Sequence, residues 1–196
     1  MNTAHASLGD IFQSWQTDSR MFQILVILIL AGLLLPGSAL AGQVGKIEYG
    51  PPVWTNIGSG MSDGAVFALE FDGTNLYAGG SFTNASGVMA RRVAKWDGTS
   101  WTNLGSGVPI MEEYPNETGV HGLLSDGSYL YAGGQFTNAG GVAANRVAKW
   151  NGTSWSGLGS GMDDCVFTLA HDGTNLYAGG VFTGPGNCVA KWNGTG

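Results

Sequence analysis

Three carboxylates stand at one register of this chain. Asp63, Glu117 and Asp163 each lie three residues before a valine that opens an apolar run, at Val66, Val120 and Val166. Oxygens converging from repeated positions are what a hard cation such as Ca2+ takes up. One carboxylate per copy supplies fewer oxygens than such an ion needs, so capping a turn or solvating a loop is the stronger reading of the three. Two histidines lie in the runs that follow. His121 fills the slot that holds Phe67 and Phe167 in the other copies, and His171 the slot of Phe71. A histidine in a phenylalanine slot reads as a packed or rim residue rather than a general base. Cys165 and Cys188 are the only cysteines. Each stands at the start of an expected strand, the two strands running parallel with a third between them. That places them about 9–10 Å apart at a strand spacing of ~4.8 Å, whereas a disulfide reaches ~7 Å. A Cys165–Cys188 bridge is therefore a candidate only if the short loop Gly184-Pro185-Gly186 draws the two together. No GxSxG, HExxH or phosphate-loop pattern occurs.

Three copies of one sentence position these residues. The first runs VFALEFDGTNLYAGGSF from Val66, then VAKWDGTSWTNLGSG from Val93; the second runs VHGLLSDGSYLYAGGQF from Val120, then VAKWNGTSWSGLGSG from Val147. The third runs VFTLAHDGTNLYAGGVF from Val166, then VAKWNGTG, and a partial copy, WTNIGSGM, opens at Trp54. Each copy predicts four strands, in the first Val66–Phe71, Asn75–Phe82, Arg92–Trp96 and Ser100–Leu104. Asp72-Gly73 and Asp97-Gly98 mark hairpins, since Asp-Gly suits a turn with both central φ angles positive. The glycine pairs 79–80, 133–134 and 179–180 predict a bulge or a close backbone approach. Trp96, Trp150 and Trp192 end one strand of each copy, and Trp54, Trp101 and Trp155 begin another. Identical placement in every copy favours packing between sheets over stacking platforms for sugars.

A four-stranded antiparallel meander repeated radially is a β-propeller blade. Trp54 to Trp101 is 47 residues and Trp101 to Trp155 is 54, both suited to blades of about 40–50 residues. The expectation is all-β: a lone strand at 53–61, blades at 64–107 and 108–161, and a truncated blade at 162–196. Three blades are fewer than a closed ring holds. The chain is then a fragment of a longer protein, the preferred reading because it stops inside a turn motif, or two chains combine into six blades. The longer spacing reflects an inserted loop, Pro109-Ile110-Met111-Glu112-Glu113-Tyr114-Pro115-Asn116. Insertions in repeats map to one face, often the binding face, so Glu112, Glu113 and Tyr114 are candidate contact residues.

LYAGG, VAKW and the following Trp resemble the kelch pattern. The copies look closer still to bacterial secreted repeats of the LYAGGSFT…VAKWDGTSW type, and are similar to the propeller region of fungal cortical cell-polarity markers. The resemblance covers residues 53–196 and implies a propeller serving as a binding surface. The galactose-oxidase type carries a copper-radical site, but no matching Cys–Tyr–His set is present.

Of 196 residues 34 are Gly, only 11% are charged, and the net charge is −6. An acidic chain without a basic patch repels phosphate backbones, so nucleic acid is not an expected partner. Residues 21–35 are apolar apart from Gln23, Pro36-Gly37 follow, and Ser38-Ala39-Leu40-Ala41 offers small residues at a cleavage site. This reads as a signal peptide over 1–41 with a linker at 42–52. Spanning a membrane needs ~20 apolar residues, so an uncleaved anchor is the lesser reading and the only expected route to a membrane. The function expected is a secreted or cell-surface, non-catalytic binding or scaffolding module for a protein or glycan ligand. No cofactor is implied beyond the Ca2+ considered above. The alternatives are a piece of a carbohydrate-active propeller enzyme, with its catalytic residues in other blades, or a structural spacer of a large surface protein.

Overall fold

In a computed structural model of the chain, residues 53–194 are described; the expected leader and linker, and Thr195 and Gly196, lie outside them. Of these, residues 54–194 belong to one compact unit by their contacts. The described residues contain strands and no helix, hence none long and apolar enough to cross a membrane.

The first sheet is built from β1 (Val66–Phe71), β2 (Leu76–Gly80), β5 (Val93–Trp96) and β6 (Trp101–Asn103), in that order and all antiparallel. Between β2 and β5 lies a small hairpin of β3 (Asn84–Ala85) and β4 (Val88–Met89). The second sheet repeats this with β7 (Gly119–Ser125), β8 (Leu130–Gln135), β11 (Val147–Trp150) and β12 (Trp155–Gly157), and the hairpin β9 (Asn138–Ala139) and β10 (Val142–Ala143). The third has three strands, β13 (Val166–His171), β14 (Leu176–Gly180) and β15 (Val189–Trp192). The expected lone strand does not form: among residues 53–60 no strand is present and Trp54 is fully exposed. A strand of this kind needs a partner beside it, and among the described residues the segment makes only an isolated bridge, from Met61 to Ala85.

The Asp-Gly hairpins form, with a turn that differs from expectation. Only the glycine of each pair is left-handed, with φ of 94° at Gly73 and 97° at Gly98, while the Asp before it is not. The carboxylate supplies the rest: Asp72 Oδ1 accepts the N–H groups of Thr74 and Asn75 at 2.8 and 2.7 Å. Asp97, Asp126, Asn151 and Asp172 do the same in the other turns. A side chain that hydrogen-bonds the backbone two residues on replaces the second positive φ.

The glycine pairs do two separate jobs. A Cβ at Gly80, Gly134 or Gly180 would collide with the carbonyl oxygen of Ala65, Gly119 or Cys165 on the adjacent strand. A Cβ at Gly79 would stand 2.6 Å from Val120 Cγ1, and one at Gly133 the same distance from Val166 Cγ1. Each sheet thus presses a valine into the glycine notch of the sheet before it. Leu123 and Leu169 pack beside those valines, and Ser125 N–H donates to Glu70 Oε1 across the first seam. Trp101 and Trp155 are buried, tilted against Trp96 and Trp150 at 5.6 and 5.4 Å, and donate Nε1–H to the carbonyls of Ile57 and Leu104. Trp155 packs among residues of the first and second sheets, as its repeated placement implies, whereas Trp101 packs within the first sheet and against Met61.

Candidate functional site

The glycine notches bend the strand that faces them. Register slips between Val66 and Ala68, Val120 and Gly122, and Val166 and Thr168, so Phe67, His121 and Phe167 are the extra residues of three bulges. A bulge re-aims a side chain out of the regular pleat. The three rings form one row, with centroids 4.9 Å apart from Phe67 to His121 and 5.8 Å from His121 to Phe167. Beside the row opens a cavity of about 350 Å3, lined also by Glu117, Gln135, Asp164 and Cys165. His121 Nε2 and Gln135 Oε1 are buried there without a hydrogen-bond partner. Burial holds the His121 imidazole below its ordinary value, so it stays neutral at physiological pH. The histidine sits in the phenylalanine row as a third ring.

The inserted loop borders this row and a second cavity. Its end, Asn116, lines the first beside Glu117; its start, Pro109 to Glu113, lines an open cavity of about 600 Å3 together with Arg91, Ser106, Thr137, Asn138 and Gly141. Glu112, Glu113 and Tyr114 are exposed, as a contact patch requires. The loop is held at both ends by one side chain. Buried Arg92 donates Nη1–H to the carbonyl of Val108 at 3.1 Å and Nε–H to that of Thr118 at 3.2 Å. Buried Thr118 ties the interior, its Oγ1 accepting from Met111 N–H and donating to the Tyr114 carbonyl. Arg92 was not singled out in the sequence. The available signal was the register Arg91-Arg92, Asn145-Arg146, Asn187-Cys188 ahead of each VAKW or its equivalent, whose second residue has φ of 74°, 64° and 65°.

The carboxylate register resolves into latches. Asp63 accepts the backbone N–H groups of Thr83 and Asn84 at 2.9 and 3.0 Å and the Thr83 hydroxyl. Asp163 accepts from Thr183 N–H at 2.8 Å and from its hydroxyl at 2.6 Å. The Thr83 hydroxyl beside Asp63, and the Thr183 hydroxyl beside Asp163, hold both carboxyls below the ordinary range. Glu117 lies instead at the inserted loop, beside the aromatic row. The three do not converge, and among the described residues no group of three His, Cys, Asp or Glu is placed to hold a metal ion.

Cys165 and Cys188 are free thiols, so the candidate disulfide is not formed. The cause is the one that limited it at the outset: β14 lies between β13 and β15, and the two cysteines lead into those outer strands. Cys165 is buried, and burial, with Asp164 nearby, pushes its thiol up to about 11. It is therefore protonated at neutral pH and a poor nucleophile.

A carboxylate–phenol pair also repeats. Tyr77, Tyr131 and Tyr177 each donate O–H to the turn carboxylate of their own hairpin, Asp72, Asp126 and Asp172, at 2.8–2.9 Å. Burial and that bond raise Tyr77 and Tyr131 to about 12. Burial would raise the Asp72 carboxyl, but the Asn75, Thr74 and Tyr77 donors outweigh it and bring it to about 2. These pairs brace hairpins and lie away from the loop.

What these features define is an all-β protein of repeated antiparallel sheets carrying one exposed, anchored insertion. A polarized growth protein, "Polarized growth protein L1" of Phoma sp. (strain ATCC 20986 / MF5453), is 30% identical to this chain over 110 residues. The match takes in 53% of this chain but only 8% of that protein's length. No family model and no solved structure matches the chain.

Proposed function

We propose that this chain is an exported, non-catalytic binding or scaffolding module of propeller type. Its sheets are blades, and its ligand, a protein or a glycan, contacts the inserted loop at one rim. The observation that carries this reading is the anchoring of that loop. Residues 109–116 depart from the repeat, expose two carboxylates and a tyrosine, and are flanked on both sides by carbonyls held by buried Arg92. Drift alone gives no reason for a buried guanidinium to be committed to two loop carbonyls, since burying a cation is costly unless its donors are used. The limited likeness to a polarized growth protein is in keeping with a non-catalytic module. Nucleic acid is not a partner on this reading, and any membrane contact runs through the N-terminal segment.

The test is binding of the full chain to a printed glycan array and to an array of extracellular proteins, beside the triple variant Glu112→Ala/Glu113→Ala/Tyr114→Ala. The expected result is a bound ligand lost in the variant while the melting temperature stays unchanged. A variant that binds as the wild type does removes the loop from the site.

A further inference from the structure

We propose that the cavity beside the aromatic row binds a small organic cation bearing N–H donors, of the alkylguanidinium or primary alkylammonium kind. Glu117, Asp164, His121 Nε2 and Gln135 Oε1 receive its donors, and Phe67 and Phe167 wall it. This goes beyond the rim loop and does not depend on what Glu112, Glu113 and Tyr114 bind.

The polarity of the cavity comes from positions where the copies differ. His121 stands where the other copies have Phe67 and Phe167, Gln135 where they have Ser81 and Val181, and Gly119 where they have Ala65 and Cys165. A Cβ at Gly119 would stand 3.4 Å from His121 Nε2 and 3.2 Å from Phe67 Cε2, so the glycine keeps a methyl group off that nitrogen. Gln135 is only 6% exposed, and neither its Oε1 nor His121 Nε2 has a hydrogen-bond partner. Both residues belong to the second sheet, which has a sheet packed on each side, so their burial does not depend on what adjoins the first or the third. Burying such groups unpaired costs free energy that a partner in the cavity returns. One water occupies only ~30 Å3. The cavity, at about 350 Å3, falls within the ~300–1,000 Å3 of small-molecule sites.

The lining sets the chemistry of the occupant. The imidazole is neutral and hydrogen-bonds the backbone of Glu117, which takes its one proton, so Nε2 is left as an acceptor. Gln135 adds a carbonyl oxygen, and Glu117 and Asp164 add carboxylates. Both carboxylates lie close enough to the Cys165 thiol to raise it, which gathers them at one place. Among the described residues no lysine or arginine lines the cavity. Arg146, which also acts on Cys165, directs Nη1–H to the Phe136 carbonyl at 3.1 Å.

Acceptors without a facing cation repel an anion and match a ligand rich in donors and positive charge, and hydrogen bonds to ionised groups are the strong ones. Phe67 and Phe167, each 48% exposed, supply the apolar walls, and a cation over an aromatic face is attracted to it. Among the described residues no three side chains are placed to hold a metal ion, so the fitting cation is an organic one.

The test is isothermal titration calorimetry of the full chain with n-propylguanidinium, n-propylammonium, n-propylurea and tetramethylammonium. n-Propylurea keeps the shape without the charge, and tetramethylammonium keeps the charge without the donors. The expected result is that n-propylguanidinium or n-propylammonium binds at least ~10-fold more tightly than either control, the factor that one hydrogen bond to a charged group supplies. N-acetylarginine N-methylamide, run beside n-propylguanidinium, separates the sources of such a cation. Tighter or equal binding of the capped arginine marks a protein side chain, and weaker binding a free small molecule. His121→Phe/Gln135→Val, which carries the residues of the third copy, should bind ~10-fold or more weakly than the wild type. Glu112→Ala/Glu113→Ala/Tyr114→Ala should bind these cations unchanged. Imidazole 15N spectra of the wild-type chain guard against a variant that fails to fold: the bound cation should shift His121 Nε2 and leave His171 in place. A wild type that takes up neither cation, as when the cavity holds water only, one that binds n-propylurea or tetramethylammonium equally well, or a His121 resonance that does not move overturns the proposal.

Discussion

Replacing Gly133 with alanine puts one methyl group into the seam between β8 and β13. The new Cβ stands 2.6 Å from Val166 Cγ1, 3.2 Å from Val166 Cβ and 3.5 Å from Leu169 Cγ. Carbon atoms pack best at about 3.5–4.0 Å, so the first contact is short by about 1 Å. Val166 cannot swing aside: it is wholly buried, and a β-branched side chain is stiff at χ1. The two sheets must part or Val166 must leave its rotamer, and overpacking of this kind costs ~1–3 kcal/mol. The backbone at Gly133 is not left-handed, so the loss of unfolded-state freedom returns ~0.4–1 kcal/mol. The net expectation is a loss of about 1–2 kcal/mol, or about 2–8 °C in melting temperature for a domain of this size. Equilibrium urea unfolding of Gly133→Ala, Val166→Ala and the double variant measures the seam directly. Truncating Val166 makes room for the methyl, so the cycle should show a favourable coupling of at least ~1 kcal/mol. A single variant within ~0.5 kcal/mol of wild type, or a double variant that is merely additive, refutes the interlocked seam.

Burial lowers His121 in the folded chain, so the unfolded chain binds the proton more readily and stability rises with pH. The contribution is complete above the unfolded value of ~6.5 and is lost as pH falls through it toward the folded value; His121→Phe, matching Phe67 and Phe167, should flatten the pH dependence of unfolding free energy just below that unfolded value. A thiol reagent at pH 8 should modify exposed Cys188 in the native chain and reach buried Cys165 only after denaturation, so rapid native labelling of both contradicts the packing at the start of β13. Arg92→Met leaves the Val108 and Thr118 carbonyls without their donor and should cost ~1.5–3 kcal/mol by urea unfolding, with faster amide exchange across residues 109–117. Trp155→Phe removes one of the two donors to the Leu104 carbonyl, which keeps the Gly107 N–H, and should cost ~0.5–1.5 kcal/mol by the same measure.

Strand order and hairpins were legible because each depends on residues close in sequence; the glycine pairs were legible as bulge sites but not as notches for the next sheet's valine. Val66–Phe71 matches its expected bounds, the third strand of that copy loses one residue at its start, and the second and fourth lose one or two at each end. The short hairpins at Asn84–Met89 and Asn138–Ala143 were not foreseen, since two-residue strands carry no alternation to read. The turn conformation was misjudged for a physical reason: the Asp side chain competes for the N–H groups that the second positive φ would have served. Arg92 was illegible because its use is long-range. Nothing near it in sequence shows that its guanidinium spans to the carbonyls of residues 108 and 118. The aromatic row was half legible. His121 stood visibly in a phenylalanine slot, but that the slot is a bulge follows only once Gly133 and Gly134 are seen opposite it.

Identical residues in these copies meet different fates, and the differences lie wholly in their neighbours. Val66, Val120 and Val166 occupy one position of one strand, yet the first is 42% exposed and the others are buried. Trp54, Trp101 and Trp155 open the same tripeptide slot, yet only the latter two pair with a strand and lose contact with solvent. In a repeat array each unit contacts only the next, and stability is the sum of unit and interface terms. Local sequence therefore encodes the unit and its seam completely, while the state of the end units is set by whatever adjoins them. The same reasoning locates function: residues shared by all copies are committed to seams, so a ligand is read by what the copies do not share. The proposed binding site rests on that difference: the loop from Pro109 to Asn116 and the single imidazole beside it.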